Sequence, residues 1–190
     1  MNQRPKNGPL GSVRIIAGSL RGSKLPVPDR PGLRPTSDRV RETLFNWVQH
    51  ELPGARVLDL FAGTGALGFE AASRGAAEVW MVERDPDLAR SLREQATRLK
   101  AAQVRVLAED GLAWLGRSPA QAFDLVFLDP PFAAGLWEPA AAALAPWLAP
   151  EALIYVECPR NVVPSLPQGW TLHREGHTRD VHFALHRAGD

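Results

Sequence analysis

Short apolar or β-branched runs alternate with helix-length stretches from Arg56 to Val156, and this alternation restricts the chain more than any other feature. The runs cover residues 56–60, 79–82, 104–107, 123–128 and 153–156. Each is short enough for a strand, and the first four lead into segments with helical spacing of apolar residues. The expected fold is therefore α/β, a parallel sheet of βαβ units with helices on both faces. Residues 123–128, Phe-Asp-Leu-Val-Phe-Leu, are almost wholly apolar, as a strand covered on both faces must be. Trp170 to His186 alternates as two more strands would, an antiparallel hairpin at one edge.

Upstream of this region, Val13 to Ala17 and Ser23 to Leu25 read as two short strands around the turn Gly18 to Gly22. Thr36 or Ser37 would then cap a helix carrying Val40, Leu44, Trp47 and Val48 on one face. Three stretches follow from this reading: a flexible tail over residues 1–12, a basic hairpin extension over 13–36, and the main domain over 37–190. With 190 residues, 45% of them hydrophobic, the chain has material for one core.

The net charge of +1 hides an asymmetry. Residues 1–41 hold nine basic and two acidic side chains, a local charge of +7, and the remainder holds 13 basic and 19 acidic, −6. A basic arm on an acidic body suits a nucleic-acid partner, with Arg14, Arg21, Lys24 and Arg34 as candidate phosphate contacts. The single cysteine, Cys158, excludes an intrachain disulfide and a multi-cysteine zinc site. His182 and His186 have a ligand-like spacing that a strand would spread over two pleats, so no metal is expected. Without a run of about 18 apolar residues or an apolar leader, a cytoplasmic protein with no membrane partner is expected.

Two motifs carry chemistry. Asp59-Leu60-Phe61-Ala62-Gly63-Thr64-Gly65-Ala66-Leu67-Gly68 follows the first strand and opens a helix, satisfying G-x-G-x-x-G in its required context. Glu83, followed by Arg84, ends the second strand twenty positions after Gly63, placed to accept hydrogen bonds from two ribose hydroxyls. These features fit a nicotinamide dinucleotide as well as S-adenosylmethionine. Asp59 moves the balance to the latter, since a carboxylate beside the turn repels a pyrophosphate but attracts an ammonium. After the third strand, Asp110, preferred to Glu109, and Gly111 would meet the adenine; the plainer role for Asp110 is a helix cap.

The second motif is Asp129-Pro130-Pro131-Phe132, directly after the fourth run. Two prolines stiffen the loop and remove two backbone donors. An exocyclic amino group on a base is a weak nucleophile because its lone pair is delocalised into the ring. Accepting its two N–H bonds on the Asp129 carboxylate and the Pro130 carbonyl would localise that lone pair, and Phe132 would stack on a base taken out of its helix. Trp137 is a further candidate, as a lid over the substrate.

With these motifs the chain resembles the Rossmann-fold class I methyltransferases that act on exocyclic amino groups. The stretches Val13 to Gly18, Arg21 to Leu25 and Leu33-Arg34-Pro35-Thr36-Ser37-Asp38-Arg39-Val40-Arg41-Glu42-Thr43-Leu44-Phe45-Asn46-Trp47 are similar to the 16S ribosomal RNA guanine-N2 methyltransferase family. The similarity runs from about Val13 to Phe132 and resumes over Ala152 to Glu157. It implies a seven-stranded methyltransferase sheet with a short N-terminal hairpin, S-adenosylmethionine as cofactor, and Thr36 and Arg39 near its methionine end. It also implies 16S ribosomal RNA, within a 30S subunit or an assembly intermediate, as the partner of a monomeric enzyme. The segment Gly176 to Val181 is longer and more polar than the family's turn. Two other readings stand beside this one, an adenine-N6 DNA methyltransferase and a non-catalytic RNA-binding assembly factor.

Overall fold

The structure, a computed structural model, describes residues 11–30, 33 and 36–189. Strands β1 (Gly11–Arg14) and β2 (Lys24–Val27) pair as an antiparallel hairpin, and α1 (Asp38–Trp47) follows. The alternating region then unfolds in order: β3 (Arg56–Asp59), α2 (Ala66–Ser73), β4 (Glu78–Val82), α3 (Pro86–Arg98), β5 (Val104–Leu107) and α4 (Gly111–Leu115). It continues with β6 (Phe123–Leu128), α5 (Trp137–Leu144), β7 (Leu148–Pro159), β8 (Trp170–His177) and β9 (Val181–Ala188). The last seven strands form one sheet in the order β5-β4-β3-β6-β7-β9-β8. Pairings from β5 to β7 are parallel, and β9 is antiparallel to both of its neighbours.

Strand alternation distributes the core over both faces. Val57, Met81, Phe127 and Tyr155 point to the side covered by α1, α2 and α3, while Leu58, Val82, Leu128 and Val156 meet α4 and α5 on the other. The chain winds outward from β3 to β5, then returns to β6 beside β3. Between β3 and β6 the winding reverses, and in such sheets ligands bind at the carboxyl ends beside that reversal. No helix among the described residues is long and apolar enough to cross a membrane.

Several boundaries differ from the sequence reading, each for a physical reason. Gly11 and Ser12, expected in the tail, pair with Val27 and Pro26 in β1. The strand expected to reach Ala17 ends at Arg14, because the N–H groups of Ile16 and Ala17 leave the ladder and donate to Glu70 at 2.8 and 3.0 Å. Ser37, not Thr36, caps α1, its hydroxyl accepting from the Val40 N–H at 3.3 Å. On that helix Phe45 enters the core, whereas Trp47 is half-buried and stacks on Phe183. β7 extends well beyond residues 153–156 because β9 pairs with it as far as Pro159.

Candidate active site

The glycine turn is built to bring a carboxylate under a helix N-terminus. Gly63 and Gly65 have φ of +54° and +76°, in the left-handed region that a side chain disfavours. Gly65 caps α2 without a side-chain hydrogen bond, and the Gly68 N–H donates to Asp59 Oδ2 at 3.0 Å. A Cβ on Gly68 would stand 2.5 Å from Met81 Cε and 3.1 Å from that same oxygen, so a side chain there would push the Met81 tip aside and crowd the carboxylate. Asp59 is 3% exposed. Burial pushes its carboxyl up to about 7, and nearby Glu83 adds to the rise while the Gly68 N–H opposes it.

A cavity of about 700 Å³ opens over this turn at the carboxyl ends of β3, β4 and β6. Asp59, Phe61, Ala62 and Gly63 form one wall, and Glu83, Arg84, Asp110 and Gly111 another. Glu83 accepts the Gly63 N–H through Oε2 and the Asp85 N–H through Oε1, both at 2.8 Å. These bonds hold its carboxylate still and leave each oxygen a second lone pair for a hydroxyl. Asp110 does cap α4, accepting the Ala113 N–H at 3.0 Å through Oδ1, and also lines the cavity. Glu109 instead pairs with Arg117 on the outside.

The third wall is the loop after β6. Asp129, Pro130, Pro131 and Phe132 all line the cavity, with Phe132 opening a short 3-10 turn. The Thr36 hydroxyl donates to Asp129 Oδ2 at 3.4 Å. Burial, Glu157 and Asp59 hold the Asp129 carboxyl well above the usual carboxylate range. Glu157, near the end of β7, lines the same cavity and is 6% exposed. Tyr155 donates its phenol proton to Glu157 Oε2 at 2.7 Å. Burial lifts the Glu157 carboxyl too, against the donors Tyr155 and Thr36.

The sequence reading missed Glu157. Its signal was an acidic residue one position past an apolar run, the same signal that marks Glu83 and Asp129. Trp137 proves to be no lid: it is buried, and its indole N–H donates to the Glu157 carbonyl at 2.7 Å. It lies beside Phe132, ring centroids 6.1 Å apart, and so ties that loop to β7. Arg39 is exposed on α1 and does not line the cavity, while Gly65 shapes the turn from behind it. Thr178, Asp180 and Val181, in the polar segment after β8, reach the cavity mouth.

Outside the cavity, Arg14, Arg21 and Lys24 are exposed on the hairpin, and Arg34 lies outside the described residues. Arg30 and Arg41 do not add to the basic face. Arg30 pairs with Asp85 and Asp87 near the start of α3, and Arg41 is fully buried beside Glu70. Cys158 has a histidine neighbour that the sequence reading did not place there: His182 Nδ1 is 4.0 Å from its Sγ, and His182 Nε2 is 3.0 Å from Glu175. Burial nevertheless pushes the thiol up to about 11, the opposite of what a nucleophile needs.

The charge of the cavity suits one class of cofactor. Asp59 already takes the Gly68 N–H that a phosphate would need, and negative potential from Asp59 and Glu83 favours a cationic, phosphate-free ligand over a dinucleotide. On a sheet of this order, with an Asp-Pro-Pro-Phe loop at the reversal, that defines a Rossmann-fold methyltransferase using S-adenosylmethionine. The chain belongs to the family described as conserved hypothetical protein 95, which matches residues 13–187. Among its relatives, ribosomal RNA small subunit methyltransferase D of Escherichia coli is 45% identical over 97% of this chain and 94% of its own. The protein of that name from Haemophilus influenzae is 46% identical over 93% and 94%. The solved structure of a putative methyltransferase from Escherichia coli superposes with a TM-score of 0.87 at 43% identity, covering 94% of this chain and 99% of the other.

Proposed function

We propose that this protein methylates the exocyclic N2 of a guanine in 16S ribosomal RNA, acting as a cytoplasmic monomer on the 30S subunit or an assembly intermediate. The observation that carries the reading is the Asp129 to Phe132 loop, which opens into the same cavity as the Asp59 turn. S-adenosylmethionine would supply an electrophilic methyl group. Asp59 would hold its ammonium, Glu83 its ribose hydroxyls, and Asp110 its adenine amino group, with Phe61, Ala62, Gly63, Arg84 and Gly111 enclosing it. Thr36 acts through Asp129, fixing the carboxylate it donates to.

Asp129 and the Pro130 carbonyl accept the two N–H bonds of the guanine amino group, localising the nitrogen lone pair and aiming it into the cavity. Phe132 stacks on the base. The work is done by positioning and by fixed acceptors in a largely desolvated site. Arg14, Arg21 and Lys24, with Arg34 as a further candidate, bind phosphates without reading sequence, and the loop selects the base.

The test is transfer of labelled methyl from S-adenosylmethionine to 30S particles lacking the modification, followed by mass mapping of the methylated nucleotide. Wild type labels one guanine at N2, and Asp129→Ala serves as the blank. Absence of transfer, or label on adenine or on naked duplex DNA instead, overturns the reading.

A further inference from the structure

Asp129 takes up the guanine amino group, but buried Glu157 in the same cavity is a carboxyl that neither this role nor the contacts proposed for the cofactor use. Glu157 lies in β7 one position past Val156, the partner of Leu128, which puts it beside Asp129 just after β6. Ion pairs among the described residues occupy Glu70, Asp124 and several surface carboxylates, yet none reaches Glu157 or Asp129. A buried carboxyl without a cation is costly to keep and usually has a hydrogen-bonding duty.

The side chain is also held in place. The Tyr155 phenol donates to Oε2 at 2.7 Å, and its ring packs edge-on against Phe127. The Trp137 indole fixes the Glu157 backbone at 2.7 Å. The Thr36 hydroxyl lies within reach of both carboxyls but has one proton for the two. With Asp59 close enough to raise Asp129, the inner cavity has more acceptors than donors.

A ligand fitting that imbalance must bring N–H groups. The Watson–Crick edge of guanine presents three in a row, two on N2 and one on N1. Adenine offers its amino group beside an unprotonated N1, whose lone pair would face a carboxyl oxygen. We propose that Glu157 is the specificity residue for the base, accepting the guanine N1–H while Asp129 accepts an N2–H. This rests on the guanine-N2 reading above and adds what would make the site prefer guanine.

The experiment compares 30S particles reconstituted with either guanine or 2-aminopurine at the target position. 2-Aminopurine keeps the 2-amino group but has no proton on N1. A hydrogen bond to a charged acceptor corresponds to a preference for guanine of roughly 10- to 100-fold in kcat/KM for wild type. In Glu157→Gln the amide can donate to an unprotonated N1, so the rate on guanine falls, the rate on 2-aminopurine rises, and the preference shrinks to a few-fold or inverts. Cofactor affinity, read by calorimetry, stays at the wild-type value.

A Glu157→Gln protein that keeps the wild-type preference overturns the inference, as does an equal loss on both bases. Wild type using both bases equally well also overturns it, a measurement that needs no variant to fold. Failure of wild type on guanine particles would instead remove the proposed function on which the inference rests.

Discussion

Asp59 is pulled in two directions. Burial favours its neutral form and sets its midpoint at about 7, while holding an ammonium requires the anion. Because this midpoint lies above that of an unfolded aspartate, the group stabilises the ligand-free fold at low pH, and the contribution is lost as pH rises through about 7. Ligand binding has the opposite sign. Affinity for S-adenosylmethionine should weaken by about tenfold per pH unit below the midpoint, with release of a proton on binding. Asp129, Glu157 and Glu83 share the cavity, so the comparison is with Asp59→Asn, which should bind weakly and with little pH dependence. Calorimetry between pH 5.5 and 8 in two buffers measures both quantities, and a flat wild-type profile would rule out the ammonium contact. Asp59 was legible from sequence because the glycine turn it supports, including the Gly68 N–H that it accepts, lies within ten residues of chain. Glu157 gave the same local signal, but its burial did not show in it, since that depends on β9 pairing with β7 and on Thr36 and Trp137 converging on the strand from elsewhere.

At the scale of elements, the hairpin is docked on three helices. Glu70 in α2 receives the N–H groups of Ile16 and Ala17, and lies against Arg41 of α1 and Arg74. Arg41 donates to the Arg14 carbonyl at 2.9 Å, and Arg98 at the end of α3 donates to the Lys24 carbonyl at 2.7 Å. Gly18 crosses so close to α2 that a Cβ there would fall 1.9 Å from the Ser73 carbonyl oxygen. Glu70→Ala takes from the fully buried Arg41 its buried partner, leaving it the pair with Asp38, and strips the Ile16 and Ala17 N–H groups of their acceptor, at a cost of about 2–4 kcal/mol. The expected result is a lower unfolding midpoint in urea and early proteolytic cleavage near residues 16–23. An unchanged cleavage pattern would mean that Glu70 does not secure the hairpin. Composition and periodicity anticipated the hairpin and the α/β core, since both are written in local patterns. The docking was invisible, because a glutamate in an alanine-rich helix gives no sign of partners more than fifty positions upstream.

For the whole molecule, the separation of charge survives in reduced form. With Arg30 paired and Arg41 buried, the exposed Arg14, Arg21 and Lys24 carry much of the hairpin's positive field, outside the lining of the acidic cavity. Replacing these three with Ala should weaken RNA binding and make the logarithmic salt dependence shallower by about two to three, with cofactor affinity unchanged. Filter binding across a salt series measures the slope, and equal loss of RNA and cofactor binding would mean that the three side chains support the fold instead. Helix α2 connects the two regions: its N-terminus carries the turn around Asp59, and its far end is fastened to the hairpin through Glu70 and Ser73. Eight residues of helix span about 12 Å. The helix thus works as a caliper with a fixed opening, setting the hairpin's exposed cations and the turn around Asp59 at a constant separation.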